Sequence, residues 1–152
     1  MCDGIEYFLD GKRVTVYFGE PGAELPIRTH AGAIAFCQWG ALGKYYFSDD
    51  NRSGWGRKFP EGGWASLESI RAGNWTTLEP RPVLIMASRF IQVNSWQIPC
   101  YFNLARGQFI QGLLAQINVH RRVYVVTLPP PSEHTEEWRE WPRIVSRPAS
   151  AN

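Results

Sequence analysis

One dipeptide does most to limit what this chain can fold into. Asp10-Gly11 sits between Ile5-Glu-Tyr-Phe-Leu9 and Arg13-Val-Thr-Val-Tyr-Phe18. Asp-Gly is the side-chain pair that a tight two-residue hairpin turn asks for, and β-branched and aromatic residues flank it. A β-hairpin over residues 5–18 is therefore predicted. Its first strand would begin just after Cys2, so the N-terminal segment would be tied to a sheet.

More strand-like runs follow. Ala31 to Trp39 is apolar and predicts a buried strand. Arg81 to Val93 reads as one long strand. Trp96 to Leu104 and Gln108 to Ile117 read as two more, joined by Ala105-Arg-Gly107, and Arg122 to Leu128 as another. Helix signals are few. Trp64 to Ala72 places Trp64, Leu67 and Ile70 on one face and is followed by Gly73, a C-terminal stop. Ser132 to Trp141, after three prolines, predicts a second short helix. The pattern is that of a β-rich α+β domain whose sheets close around an apolar interior. At 152 residues the chain has the length of one domain. Residues 1–146 form that domain, and 147–152 read as a tail.

Gly40 to Gly63 breaks the strand pattern for more than twenty residues. Long irregular stretches inside a compact domain tend to carry function. This one interleaves Tyr45, Tyr46, Trp55 and Phe59 with Lys44, Arg52, Arg57 and Lys58. Bases stack on aromatic rings and phosphates pair with cations, so this composition suits a single-stranded nucleic-acid groove. The whole-chain charge of +2 gives no such signal, but thirteen of the sixteen basic residues are arginine, the side chain suited to bidentate phosphate contact. Three cysteines, widely spaced, argue against a disulfide framework or a zinc site. Cys37 and Cys100 read as buried thiols. No apolar run is long enough for a membrane span, and the expected location is cytoplasmic.

Cys2 is the remaining chemical feature. A small residue after the initiator methionine predicts removal of Met1, leaving Cys2 with a free amine. Amine and thiol on adjacent carbons can close on an aldehyde to give a thiazolidine ring. An unperturbed terminal amine has a pKa of about 7.7–8.0, so near neutral pH a fraction is already uncharged.

With these residues placed, the order of elements resembles the SRAP family (SOS-response-associated peptidases), whose members shield abasic sites. Cys2 sits where the family has its Met-Cys-Gly-Arg start. Tyr17 and Pro21 match its Arg-Tyr-Asn-x-Ala-Pro segment. Trp39-Gly40 match its Trp-Gly-x-x-Pro-x-Trp segment, and Ala65 and Glu68 match Asn-Ala-Arg-x-Glu-Thr. Pro99 to Ala115 resembles its later hairpin, and Val123 to Thr127 its Phe-x-Ile-x-Thr strand. The resemblance implies a pseudo-barrel of mostly antiparallel strands. It implies single-stranded DNA carrying abasic sites as partner, thiazolidine cross-linking through Cys2, and no cofactor or metal. The candidate site residues are Cys2, Gln92 and His134 for catalysis, with His134 a stand-in for a family His that is not matched, and Tyr17, Trp39, Tyr45, Tyr46, Arg57, Lys58 and Trp64 for DNA, of which Tyr45, Arg57 and Lys58 come from the basic–aromatic stretch.

The chain departs from the family at the catalytic positions. Trp64 stands where the family has Asn and Ser66 where it has Arg. Gln92 replaces the catalytic Glu, and an amide cannot shuttle a proton. The His motif falls on Trp138 to Pro142, with no His; His134 lies four residues earlier. The leading expectation is therefore a divergent SRAP-like DNA-binding domain with Cys2 as cross-linker. One alternative is a catalytically inactive relative, phage-derived, kept as a binding or interaction module. Another is an N-terminal-cysteine amidohydrolase with an unrelated substrate.

Overall fold

A computed structural model describes residues 2–29, 32–43, 46–47 and 57–147. Fourteen strands run along it: β1 (Gly4–Leu9), β2 (Lys12–Tyr17), β3 (Glu24–Arg28), β4 (Ile34–Gln38), β5 (Tyr46–Phe47), β6 (Arg57–Lys58), β7 (Trp64–Ser66), β8 (Arg81–Ile85), β9 (Arg89–Val93), β10 (Pro99–Asn103), β11 (Gln108–Ile117), β12 (His120–Leu128), β13 (Trp141–Pro142) and β14 (Ile144–Ser146). One short helix, α1 (Leu67–Arg71), follows β7. The chain is β-rich, as its sequence predicts.

The predicted hairpin forms. β1 and β2 pair from Gly4–Tyr17 to Leu9–Lys12. Asp10 and Gly11 both take positive φ, 51° and 76°, the geometry that matches the twist of the flanking strands. The hairpin is half of a four-stranded sheet in the order β10-β9-β1-β2. A larger sheet runs β13-β12-β11-β8-β3-β4, with β14 on β11 and β7 parallel on β12. Neither order closes on itself. Among the described residues, the backbone link from the end of β4 to β12 is a single bridge, Trp39 to Val123.

Two apolar clusters hold the layers together. Ile5 and Phe90 from the smaller sheet pack with Leu25, Ile85, Ile110, Val123 and Val125 from the larger one. On the other face of β11 and β12, Leu113, Ile117, Tyr124 and Val126 pack with Phe59, Trp75 and Leu78. Burial of these side chains is the main driving force, worth about 1.5–3 kcal/mol for each large one.

Several sequence expectations are corrected. Residues 81–93 form two strands in different sheets. The chain leaves the larger sheet at Met86, whose amide donates to Pro26 O, and joins the smaller one at Ser88, whose amide donates to Glu6 O. β10 and β11 are both strands but do not pair; β10 bonds β9, and β11 bonds β8, β12 and β14. Trp64 to Ser66 is strand, because β12 offers a parallel partner at Val125 to Thr127, and the helix starts only after the Ser66 cap. β4 is largely exposed, with Ile34 and Phe36 facing out and Cys37 buried. Cys100 is half-buried. Residues 132–141 give one 3₁₀ turn, Ser132–His134, before β13.

Candidate functional site

The segment before β1 is built into the smaller sheet. Asp3 N donates to Ile91 O at 2.8 Å, and Phe18 N donates to Asp3 O at 3.0 Å. The Asp3 carboxylate accepts from Val93 N at 2.8 Å. Cys2 O accepts from Trp64 Nε1 at 2.7 Å. The Cys2–Asp3 segment is thus held from three sides, by Ile91 and Val93, by Phe18 and by Trp64. The Cys2 thiol is fully buried and donates to Gly4 O at 3.5 Å. Burial, then the Asp3 carboxylate, pushes its pKa well above the ordinary thiol value. In this arrangement Cys2 is a protonated interior thiol, and a thiol is a far weaker nucleophile than a thiolate.

Trp64 and Trp39 belong to the packing around that end. Phe18 lies 4.8 Å from the Trp64 ring and 5.6 Å from that of Trp39. Trp39 Nε1 donates to Gly63 O at 3.0 Å, and the ring is buried. Gly63 makes this possible, since a Cβ there would stand 2.6 Å from Phe18 Cδ1 and 2.7 Å from Trp39 Nε1.

Gln92 is fully buried in β9, next to the residue that holds Asp3, and neither amide atom has a partner. Strand alternation puts Gln92 on the same side of β9 as Phe90, facing the interior between the sheets. Thr127, on the side of β12 that carries Val123 and Val125, also has a buried hydroxyl without a partner. His134 sits in an aromatic cluster instead. Its ring lies parallel to Trp141 at 4.8 Å and edge-on to Phe102 at 5.5 Å, and its Nδ1 is buried without a partner. The structure thus brings Cys2 and Gln92 to one stretch of sheet, while His134 has its ring contacts with Phe102, Trp138 and Trp141.

The basic–aromatic stretch is only partly described. Tyr45 lies outside the described residues. Tyr46 pairs with Lys58 through the backbone, in the small β5–β6 ribbon. Arg57 Nη1 donates to Thr77 O at 2.7 Å.

Tyr17 points to a surface that the sequence reading missed. The register aligns Tyr17, Gly4, Ile91 and Tyr101 in one row across the four strands. Gly4 is the floor of this row, because a Cβ there would come within 3.0 Å of the Tyr17 ring. Partial burial, and then the neighbouring Tyr101 hydroxyl, raise the Tyr17 pKa. The next row holds Asn103, Arg89, Glu6 and Thr15. The Arg89 guanidinium lies over the Tyr101 ring, 4.3 Å from its centroid. Glu6 fixes it there through a 2.9 Å ion pair, and pairs with Arg13 at 3.1 Å. Tyr101 is 47% exposed, and Trp96, in the turn before β10, is 81% exposed.

No protein-family model, curated protein or solved structure matches the chain.

The outer sheet face therefore has to be read from its own chemistry. It offers aromatic faces to solvent, with two arginines and one carboxylate that both arginines already engage. Period-two reading of β9 and β10 could have found it, since Arg89 with Ile91 and Tyr101 with Asn103 alternate with interior residues. Among the described residues no cluster of acidic, His or Cys side chains could hold a metal ion, and no helix is long and apolar enough to cross a membrane.

Proposed function

We propose that the protein is a single-stranded nucleic-acid-binding domain, SRAP-like in the order of its strands, that docks its ligand on the open face of the four-stranded sheet. The observation that carries this reading is the row Tyr17–Gly4–Ile91–Tyr101, with Arg89 stacked on Tyr101. Bases of a single strand stack on Tyr101 and on the exposed Trp96. Arg13 and Arg89, held by Glu6, supply cationic groups for the backbone phosphates. Stacking accepts any base, so the binding has little sequence preference and weakens as salt rises. Cys2 is in this reading a structural residue that locks the N-terminal segment into the sheet.

Fluorescence anisotropy with a labelled oligothymidylate tests this. Loss of one stacking ring costs about 1–3 kcal/mol, so Tyr101→Ala should weaken binding by roughly 5- to 150-fold. Unchanged affinity in both Tyr101→Ala and Arg89→Ala would remove the sheet face from the reading.

A second reading, cross-linking of abasic sites through Cys2, is favoured by the unpartnered amide of Gln92 and hydroxyl of Thr127 on the facing inner sides of the two sheets. Removal of Met1 would give Cys2 the free amine that ring closure needs. The two readings separate on a denaturing gel after mixing the protein, with its N-terminus checked by intact mass, with a single-stranded oligonucleotide carrying one abasic site. A closed, structural Cys2 gives no heat-resistant band. A band that disappears in Cys2→Ala establishes the cross-link.

A further inference from the structure

The larger sheet carries a second surface, on the side away from the four-stranded sheet. Val83, Ile85 and Ile110 face the core between the sheets, so Leu84 and Gln111 face outward. The register sets Arg28, Leu84 and Gln111 in one row across β3, β8 and β11. Arg143 extends the row, because its Nη1 donates to Gln111 Oε1 and its carbonyl accepts from Gln111 N. A cleft of about 610 Å³ opens over this row. Its polar lining includes Arg28, Thr29, Ser146 and Arg147, and its walls include Pro82 and Leu84. Among the described residues, no carboxylate lines it. Arg28 Nε is buried and has no hydrogen-bond partner, and neither Arg28 nor Arg147 forms an ion pair with a described carboxylate.

Two guanidiniums that share a cleft without a counter-ion repel each other and leave donors unsatisfied. A phosphate monoester removes both costs, because it carries close to two negative charges near neutral pH and accepts fork-shaped hydrogen bonds from arginine. The Thr29 hydroxyl already donates to Ala33 O, which leaves the Ser146 hydroxyl to add a further donor around its oxygens. The apolar wall gives the body of the ligand a surface to lie on, and the volume falls in the range of small-molecule sites, about 300–1,000 Å³. We propose that this cleft binds the terminal phosphate of a nucleotide-sized phosphate monoester, either a free mononucleotide or the 5′-phosphate end of a strand. The proposal stands apart from the sheet-face reading, since it uses a different face and different residues.

Calorimetric titration of the full chain in phosphate-free, low-salt buffer tests it, with thymidine 5′-monophosphate, thymidine and inorganic phosphate as probes. The monophosphate should bind about tenfold or more tightly than either of the other two, because only it engages both arginines and the apolar wall. Arg28→Gln and Arg147→Gln should each weaken it by about tenfold. Arg147 is exposed, so its variant reads binding without a folding effect. Competition separates the two sources. Displacement of the mononucleotide by a 5′-phosphorylated oligonucleotide, but not by its 5′-hydroxyl counterpart, assigns the strand end; failure of both to displace it assigns the free nucleotide. Absence of mononucleotide binding at millimolar concentration, or binding indifferent to both arginine variants, overturns the proposal.

Discussion

Gly40→Ala is expected to be the most damaging small substitution in the chain, with a loss of more than about 3 kcal/mol of stability. Gly40 takes φ +61°, and a Cβ there would stand 2.1 Å from Gly62 O and 2.8 Å from Gly63 Cα. Both obstacles are backbone, so no side chain can rotate away. The position also joins three parts of the fold. Gly40 N donates to Val123 O, its neighbour Ala41 exchanges two hydrogen bonds with Gly62, and Trp39 on its other side bridges to Val123. Moving Gly40 would therefore pull the bridge from β4 to β12 and the 62–63 segment under Trp39 together. Gly22→Ala is the control. It too has positive φ, +70°, but nothing stands within 4 Å of the added carbon. Its cost should stay near the strain of the left-handed backbone alone, about 1 kcal/mol. Urea unfolding of both variants gives the comparison. Equal stability in the two would mean that the approach of Gly62 to Gly40 is not a fixed feature of the fold.

The sequence made some parts of this structure plain and hid others for physical reasons. The first hairpin was legible because Asp10-Gly11 specifies its turn locally. β11 and β12 were legible because long β-branched and apolar runs have few other uses. The split of residues 81–93 into two sheets was not, since Met86-Ala87-Ser88 carries no glycine or proline and the break is made by distant partners, Pro26 O and Glu6 O. Trp64 to Ser66 has helical spacing but takes the strand that β12 offers, a tertiary override of local preference. The candidate site divides in the same way. Cys2 and Gln92 could be singled out as chemistry-bearing residues, and the fold brings them to one stretch of sheet. Period-two reading could have put Arg89 and Tyr101 on outward faces, but their meeting with Glu6 comes only through the cross-strand register, which no single strand contains. Trp39 drew attention as an aromatic but has its ring inside the core, where its indole N–H meets Gly63 O.

Glu6→Ala should lower stability and nucleic-acid affinity together, and that coupling is what distinguishes it from an ordinary core defect. The carboxylate is almost wholly shielded, with 3% side-chain exposure, and is engaged by Arg89, Arg13 and the Thr15 hydroxyl. Removing one partner of a buried ion pair costs about 3–5 kcal/mol where the remaining charge stays buried. Here Arg13 is 60% exposed and Arg89 27% exposed, so water recovers part of that loss. A cost of about 2–3 kcal/mol is expected once solvent screening is allowed for. Arg89 would then lose the contact that fixes it over Tyr101, and the paired surface of ring and cation would become two independently moving side chains. Ordering the Arg89 side chain again on binding has an entropic cost of about 0.5–1.5 kcal/mol, so oligothymidylate affinity should fall by roughly 2- to 10-fold, although the variant removes a negative charge and bulk electrostatics alone would raise it. Urea unfolding and anisotropy on the same preparation read both effects. A destabilised variant with unchanged or tighter binding would show that Glu6 supports the fold alone, and that Arg89 does not need to be held over Tyr101 for the sheet face to work.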